Sequence, residues 1–220
     1  MNLDQIWQNI QKARISCGKW DKITLIAVSK NVNCDEVLNL YRQNQLEFGE
    51  NRVQELKRKK EILKDLPLNW HFIGSLQKNK INQLISLCPI LWQSCNSFEL
   101  ANAVDKRLNY TLNTLLEINS ASENTKSGIE INKAIDEYLQ IKENCKNLNL
   151  CGVMSIGAHS DDIKQIQKSF EITHKIFENL QKFGAKICSM GMSDDYELAI
   201  KCGSNMIRLG RILYNCPKNA

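Results

Sequence analysis

The stretch I-T-L-I-A-V-S-K, residues 23–30, decides how the chain is expected to fold. Six of its first seven residues are apolar or β-branched, which is typical of a strand buried on both faces of a parallel sheet. The run ends at Lys30. Ligands bind at the carboxyl ends of such strands, and a partly desolvated amine there can form a Schiff base with a carbonyl compound. An ordinary surface lysine at a strand exit is the alternative interpretation.

Strand-like runs alternate with stretches of helical apolar spacing along the rest of the chain. An amphipathic helix over residues 2–16 precedes the first strand. Eight such alternations in 220 residues predict an α/β protein, a single (β/α)8 TIM barrel domain over residues 1–220 with an extra N-terminal helix. An open doubly wound sheet would favour a glycine-rich phosphate loop after the first strand, and the sequence has none. The strands are expected near residues 23–29, 46–48, 70–73, 90–93, 114–118, 150–155, 186–189 and 205–209.

Composition narrows the classes of function. The chain is 43% hydrophobic and 24% charged, with no apolar run near the roughly 18 residues of a membrane span and no secretory signal, so we expect a cytoplasmic protein without membrane contact. The nine cysteines include no C-x-x-C pair, which favours buried thiols over a zinc site. The net charge is +5. We interpret its one dense cluster, Lys57 to Lys60, as a solvated helix face rather than a nucleic-acid contact.

The candidate site residues stand at the carboxyl ends of the predicted strands, where barrel active sites lie. One lysine stands there among uncharged polar residues, and no carboxylate pair suggests acid-base hydrolysis. His71 lies inside the third strand, and we interpret it as a packed, hydrogen-bonded histidine rather than a catalytic one. The strand-end residues are Lys30, Asn51, Gly74, Asn96, Asn119, Ser155, Ser193 and Gly210.

The last two loops predict a phosphate site. They follow strands seven and eight, which build the phosphate site of many barrels. Gly191 and Gly210 allow a phosphate to approach the backbone, and Ser193 offers a hydroxyl. A helix opening at Asp194 offers free N–H groups, and Arg211 adds a positive charge. With a lysine opposite, these loops point to a phosphorylated aldehyde, for which pyridoxal 5′-phosphate is the leading candidate.

Six segments resemble the pyridoxal phosphate homeostasis protein family, and the resemblance runs from about residue 23 to 214. It implies a barrel like the N-terminal domain of alanine racemase. It also implies a role in supplying or buffering pyridoxal phosphate, with apo-enzymes that use the cofactor as partners, rather than a known turnover. The segments are L-I-A-V-S-K (25–30), F-G-E-N-R-V-Q-E (48–55), W-H-F-I-G-S-L-Q-K-N-K (70–80), E-N-T-K-S-G (123–128), S-M-G-M-S-D-D (189–195) and I-R-L-G-R (207–211).

Carried over by position, the resemblance implies roles for four residues around the cofactor ring. Lys30 would hold the cofactor as a Schiff base, Asn51 would lie beside the ring, and Met154 would pack on it. Arg208 would face the pyridine nitrogen. Because arginine keeps its proton, the nitrogen would stay unprotonated and the ring would be a poor electron sink.

The resemblance also implies the phosphate contacts and shows where this chain departs from the family pattern. Ser193 and Gly210 would hold the phosphate. Arg211 stands where many members have threonine or serine, so a guanidinium or backbone contact would replace a hydroxyl. Ser75 and Gly157 stand where proline is common. These departures concern the shape of the loops rather than cofactor binding.

An amino-acid racemase of the alanine racemase type is the alternative function. Racemisation needs a base on each face of the substrate, and the resemblance implies that the second base, a tyrosine, comes from a C-terminal domain. This chain ends at Ala220, directly after the eighth strand. We expect Tyr196 to pack on its helix and Tyr214 to lie past the barrel mouth. The expectation is therefore a monomeric carrier without established turnover.

Overall fold

Eight parallel strands form a closed barrel in the computed structural model, which describes residues 2–18, 22–121 and 127–214. Each strand pairs with the next along the chain, and the eighth pairs with the first through Thr24 with Met206 and Ala27 with Leu209. The predicted barrel is confirmed. The strands are β1 (Thr24–Val28), β2 (Glu47–Glu50), β3 (Asn69–Phe72), β4 (Leu91–Cys95), β5 (Leu112–Ile118), β6 (Leu148–Ser155), β7 (Ile187–Ser189) and β8 (Met206–Leu209).

Helices connect these strands and surround the barrel. The extra N-terminal helix is confirmed, and it packs against the helix that precedes β8. Short 3₁₀ turns over Lys78–Lys80 and Ile131–Lys133 lead into the fourth and sixth helices. The described α-helices are α1 (Leu3–Ser16), α2 (Cys34–Tyr41), α3 (Val53–Ile62), α4 (Ile81–Ser86), α5 (Phe98–Asp105), α6 (Ala134–Asn144), α7 (Ile163–Gln181), α8 (Tyr196–Lys201) and α9 (Arg211–Tyr214).

Side chains alternate between the inside of the barrel and the helix layer, as they do in all strands. Phe48, Phe72 and Trp92 are fully buried in the large apolar cluster between barrel and helices. A smaller cluster fills the barrel interior. It contains Ile26, Leu91, Leu115, Met154 and Met206. The barrel interior is therefore a packed core, and a ligand is expected at an end of the barrel rather than inside it.

A chain of hydrogen bonds crosses the barrel interior from one end to the other. Arg208 Nη1 donates to Ser189 Oγ at 2.6 Å, and that hydroxyl donates to Gln93 Oε1 at 2.8 Å. Gln93 Nε2 lies 3.3 Å from His71 Nδ1, and His71 Nε2 lies 2.7 Å from Glu47 Oε2. These partners satisfy polar groups that would be costly to bury alone. The interpretation of His71 as a packed, hydrogen-bonded histidine is confirmed.

Two further expectations concern bulk properties. Every cysteine in the described residues is a free thiol, but only Cys95, Cys145 and Cys188 are buried, while Cys88 is exposed. The expectation of buried thiols is thus right for a minority of the described cysteines. Many of the others lie at helix ends and turns, where the chain is more exposed. In the three described ranges, no helix has the length and apolar character needed to cross a membrane.

Candidate functional site

A cavity of about 540 Å³ opens at the carboxyl end of the barrel, within the usual size range of small-molecule sites. It lies where barrel active sites are expected. The structure brings all seven sequence-predicted residues together in its wall, although a cofactor contact for each of them stays a prediction. The seven are Lys30, Asn51, Met154, Ser193, Arg208, Gly210 and Arg211.

Lys30 follows β1, and a buried ion pair holds the backbone that leads to it. Lys59 Nζ lies 2.5 Å from Glu50 Oε1, and both side chains are fully buried. The same ammonium donates to the Ser29 carbonyl at 2.5 Å, and Ser29 Oγ donates to Glu50 Oε1 at 2.9 Å. These bonds fix the backbone immediately before Lys30, whose own side chain is exposed in the cavity wall.

This ion pair corrects the interpretation of the basic cluster at Lys57 to Lys60. Lys57 and Arg58 lie on the solvated face of α3, as predicted. Lys59 points the other way, into the interface between α3 and the barrel, where a carboxylate compensates its charge. Helical spacing places Lys59 on the buried face, three residues after Leu56, but the carboxylate that allows a lysine there lies nine residues earlier.

The loops after β2 and β3 pass very close to each other at Asn51. The Asn51 N–H donates to Glu50 Oε2 at 3.2 Å, so the same ion pair that supports Lys30 also positions this residue. A Cβ placed on Gly74 would lie 1.9 Å from the Asn51 carbonyl oxygen. Only glycine fits there, and its absence of a side chain brings the two loops together beside the cavity.

Arg208 reaches the cavity from inside the barrel, where three hydrogen bonds hold its guanidinium. Nη1 donates to the carbonyl and hydroxyl of Ser189, and Nη2 donates to the Ser155 carbonyl at 2.9 Å. Burial lowers the pKa of Arg208 to about 10, while Asp195 and then Glu117 act in the opposite direction. The group therefore stays charged at neutral pH and has one fixed orientation.

Ser193, Gly210 and Arg211 form the side of the cavity predicted to bind phosphate. The Gly210 N–H donates to Ser193 Oγ at 3.3 Å, so the loops after β7 and β8 meet at this hydroxyl. Arg211 forms an ion pair with Asp194. An anion that enters this end of the cavity would compete with that carboxylate for the guanidinium.

The expected helix N-terminus at this end is not where the sequence placed it. The helix begins at Tyr196 rather than Asp194, because Asp195 Oδ1 accepts the Met192 N–H at 2.6 Å and closes a turn. Burial raises the pKa of Asp195, with the Met192 N–H and Arg208 partly offsetting the rise. Gly191, expected beside the phosphate, is not among the described residues that line the cavity. It has φ +93°, and a Cβ there would lie 2.6 Å from Ala199 Cβ, so α8 requires the glycine.

A buried carboxylic acid, Glu117, is the main cavity residue that the sequence did not reveal. It lies on β5, is 4% exposed, and accepts a hydrogen bond from Ser127 Oγ at 2.5 Å. Together with Asp194 and Asp195 it gives the wall three carboxylates, so the expectation of only uncharged polar neighbours is wrong. The expectation failed because it considered strand ends only, and Glu117 is one residue before the end of β5.

Two of the departures from the family pattern, Ser75 and Gly157, lie in or close to the cavity wall. Ser75 is an exposed residue of the wall. Gly157 packs tightly, since a Cβ there would lie 2.9 Å from the Phe170 ring and 3.2 Å from Asp195 Oδ2. The tyrosines considered as a second base do not line the cavity. Tyr196 is buried beside α1, where its hydroxyl accepts from Asn9 Nδ2 at 3.3 Å, and Tyr214 is half-buried.

A family profile, curated relatives and solved structures all point to the same group of proteins. The sequence profile of the alanine racemase N-terminal domain family matches residues 1–217. A pyridoxal phosphate homeostasis protein from Helicobacter pylori is 47% identical over 215 residues, which cover 96% of each protein. The structure of PipY from Synechococcus elongatus with PLP bound is 29% identical and has a TM-score of 0.80, covering 93% of this chain and 99% of PipY. An alanine racemase from Clostridium difficile, 19% identical with a TM-score of 0.72, shares the fold over 97% of this chain and 57% of its own.

Proposed function

The chain belongs to the pyridoxal phosphate homeostasis protein family, and from this premise we propose that it binds pyridoxal 5′-phosphate and takes part in the intracellular supply of that cofactor. One observation carries the proposal. A single cavity at the carboxyl end of the barrel contains an exposed lysine amine, a buried charged arginine and two loops that offer a hydroxyl and a guanidinium. This donor set fits a small aromatic aldehyde that carries a phosphate.

Lys30 is the residue proposed to bind the aldehyde covalently. Its Nζ would form a double bond to the aldehyde carbon, and the aldehyde oxygen would leave as water. The reaction needs no oxidant or reductant, and water reverses it, as a carrier requires. The Glu50–Lys59 ion pair supports this role, because it fixes the Ser29 carbonyl and so the backbone from which Lys30 extends.

The remaining cofactor contacts are assigned by the charge and polarity of the side chains in the cavity wall. Ser193 and the loop at Gly210 are proposed to bind the phosphate, with Arg211 moving from Asp194 to the anion. Asn51 and Met154 are proposed to flank the ring, from the loop after β2 and from β6. Arg208 is proposed to face the ring nitrogen, which it would keep unprotonated because the guanidinium does not give up its proton. When bound, the cofactor supplies an aldehyde that an amine can hold reversibly.

We propose a carrier rather than an amino-acid racemase. A racemase needs a second base opposite Lys30, and neither Tyr196 nor Tyr214 lines the cavity. The similarity to alanine racemase shows the fold alone. We therefore propose that the chain acts as a monomer, that it passes the cofactor to apo-enzymes that depend on it, and that catalysis is not its main role.

The test is reduction of the cofactor-loaded protein with borohydride, followed by mass spectrometry of the peptides. We expect a yellow protein whose label lies on the peptide that contains Lys30. Lys30→Ala should remove the adduct and keep the unfolding curve of the wild type. Lys57→Ala, on the exposed face of α3, is the matched control and should keep both. A wild type that takes up no pyridoxal phosphate would overturn the proposal.

A further inference from the structure

Glu117 is a buried acid in the cavity wall, and one of its oxygens has no partner among the residues that the structure describes. Its Oε1 accepts from Ser127 Oγ at 2.5 Å. Its Oε2 is inaccessible to water and has no hydrogen-bond partner in the structure as far as its described residues go. Buried side-chain polar atoms are nearly always paired. An unpaired oxygen beside a cavity therefore indicates that a ligand completes the contact, after a small rotation of the carboxyl group brings this oxygen to the cavity surface.

The position of Glu117 in the barrel sets what such a ligand would present to it. β5 is four strands from β1 in either direction around the eight-strand barrel, so Glu117 and Lys30 lie on opposite sides of the cavity. Met154 is its neighbour on β6. The titratable and charged groups that face it in the described residues are Arg208 from β8, Cys95 from β4, Lys30 across the cavity, and Asp194 and Asp195 after β7.

We propose that Glu117 is a cofactor-binding residue, which in its neutral form donates a hydrogen bond to the 3-oxygen of pyridoxal phosphate. This inference rests on the proposed function. The aldehyde is assigned to Lys30, the phosphate to the loops after β7 and β8, and the ring nitrogen to Arg208. The 3-oxygen is the polar substituent that remains, and it carries negative charge when it is ionised. An ionised carboxylate would repel it, whereas a neutral carboxyl donates to it.

Burial favours the neutral form of Glu117. Desolvation raises the pKa of Glu117, and the Ser127 hydroxyl and the Arg208 charge only partly offset that rise. The carboxyl would hold a proton in the complex, so cofactor binding and protonation are linked. The dissociation constant should be flat below the pKa of Glu117 in the free protein. Above it, the constant should rise with pH by up to about tenfold per unit.

The experiment compares wild type, Glu117→Gln and Glu117→Ala, using pyridoxal phosphate itself as the probe. The readouts are the dissociation constant across pH and the ratio of the near-ultraviolet to the visible absorbance band of the bound cofactor, which reports on the 3-oxygen. Glutamine keeps a donor and cannot ionise. We expect Glu117→Gln to bind like the wild type at low pH and more tightly than the wild type at high pH. Glu117→Ala should bind about tenfold more weakly at low pH and change the band ratio.

Glu137→Gln is the matched control, because Glu137 is a half-buried carboxylate with one hydrogen bond, from the Phe98 N–H, in the outer helix layer. It should leave both readouts unchanged. If Glu117→Ala does not fold, the nearly isosteric Glu117→Gln still tests the pH dependence. A borohydride adduct at Lys30 with wild-type affinity and spectrum in the Glu117 variants at every pH would overturn this inference alone. A wild type without any adduct would overturn the proposed function with it.

Discussion

Replacing Lys59 by methionine tests whether the buried ion pair behind the cavity holds this side of the barrel together. The substitution keeps an unbranched side chain of similar length and removes the ammonium. It leaves the Glu50 carboxylate in a site with no exposure to water. It also releases the Ser29 carbonyl, which accepts from Lys59 Nζ at 2.5 Å and directly precedes Lys30.

The expected loss of stability depends on the hydrogen bonds that Glu50 keeps after the substitution. Breaking a buried ion pair by removing one partner costs about 3–5 kcal/mol, because the other charge stays buried without compensation. Glu50 Oε1 retains the Ser29 hydroxyl at 2.9 Å, and Oε2 retains the Asn51 N–H at 3.2 Å. We therefore expect the lower end, about 3 kcal/mol. For a chain of this size, that corresponds to a fall of roughly 6–12 °C in the melting temperature.

Calorimetry and denaturant titration of a double-mutant cycle provide the assay. Glu50→Gln combined with Lys59→Met removes both charges and should be more stable than Lys59→Met alone by about 2 kcal/mol. Lys57→Met, two residues away on the solvated face, should lie within about 0.5 kcal/mol of the wild type. The reasoning is refuted if Lys59→Met melts like the wild type, or if the double variant is no more stable than the single one.

Two other predictions concern the phosphate end and the absence of turnover. Asp194→Asn frees Arg211 from its ion pair. It should therefore tighten pyridoxal phosphate binding by about tenfold in a fluorescence titration, with the gain shrinking at high salt, and weaker binding would show that Asp194 has another role at the site. Exchange of the α-proton of alanine or serine in heavy water, followed by NMR on the loaded protein, should be far slower than the roughly 10 per second of a typical enzyme. Turnover at ordinary rates that Lys30→Ala abolishes would restore the racemase alternative.

The fold was predictable because its signals are local. Buried strands such as β1, helix caps and turn residues each act within a few positions. The Asn33 cap is an example, since its side chain accepts the Glu36 N–H at 2.9 Å and the Glu36 carboxylate accepts the Asn33 N–H at 3.0 Å. Eight repetitions of such signals leave few topologies. The errors in the predicted fold lie at the ends of helices and strands, because side-chain contacts determine where an element begins. The Asp195 carboxylate closes a turn and delays α8 to Tyr196.

The cavity was predictable at the strand ends and much less so in its walls. Lys30, Ser193 and Gly210 directly follow strands or stand in the loops after them, so topology alone brings them together. The buried positions of Glu117 and Lys59 were not predictable in this way. Whether a charged residue within an apolar pattern is buried depends on partners that are distant in sequence, and on strand register, where one residue of slippage reverses the direction of every side chain.

The electrostatics of Arg208 link the polar barrel interior to the proposed role as a carrier. Burial brings the pKa of this group down to about 10, so the guanidinium stays almost fully protonated at neutral pH. The hydrogen bonds to Ser189 and Ser155 prevent the guanidinium from turning away. A fixed, charged donor at the proposed position of the ring nitrogen opposes protonation of that nitrogen. The site can then hold an aldehyde on Lys30 while giving little stabilisation to the carbanion that racemisation requires. The buried charge of Arg208 also acts on Glu117. It favours the ionised form of that carboxyl, whereas desolvation favours the neutral form. The balance between the two sets the pH at which this barrel would begin to release its cofactor.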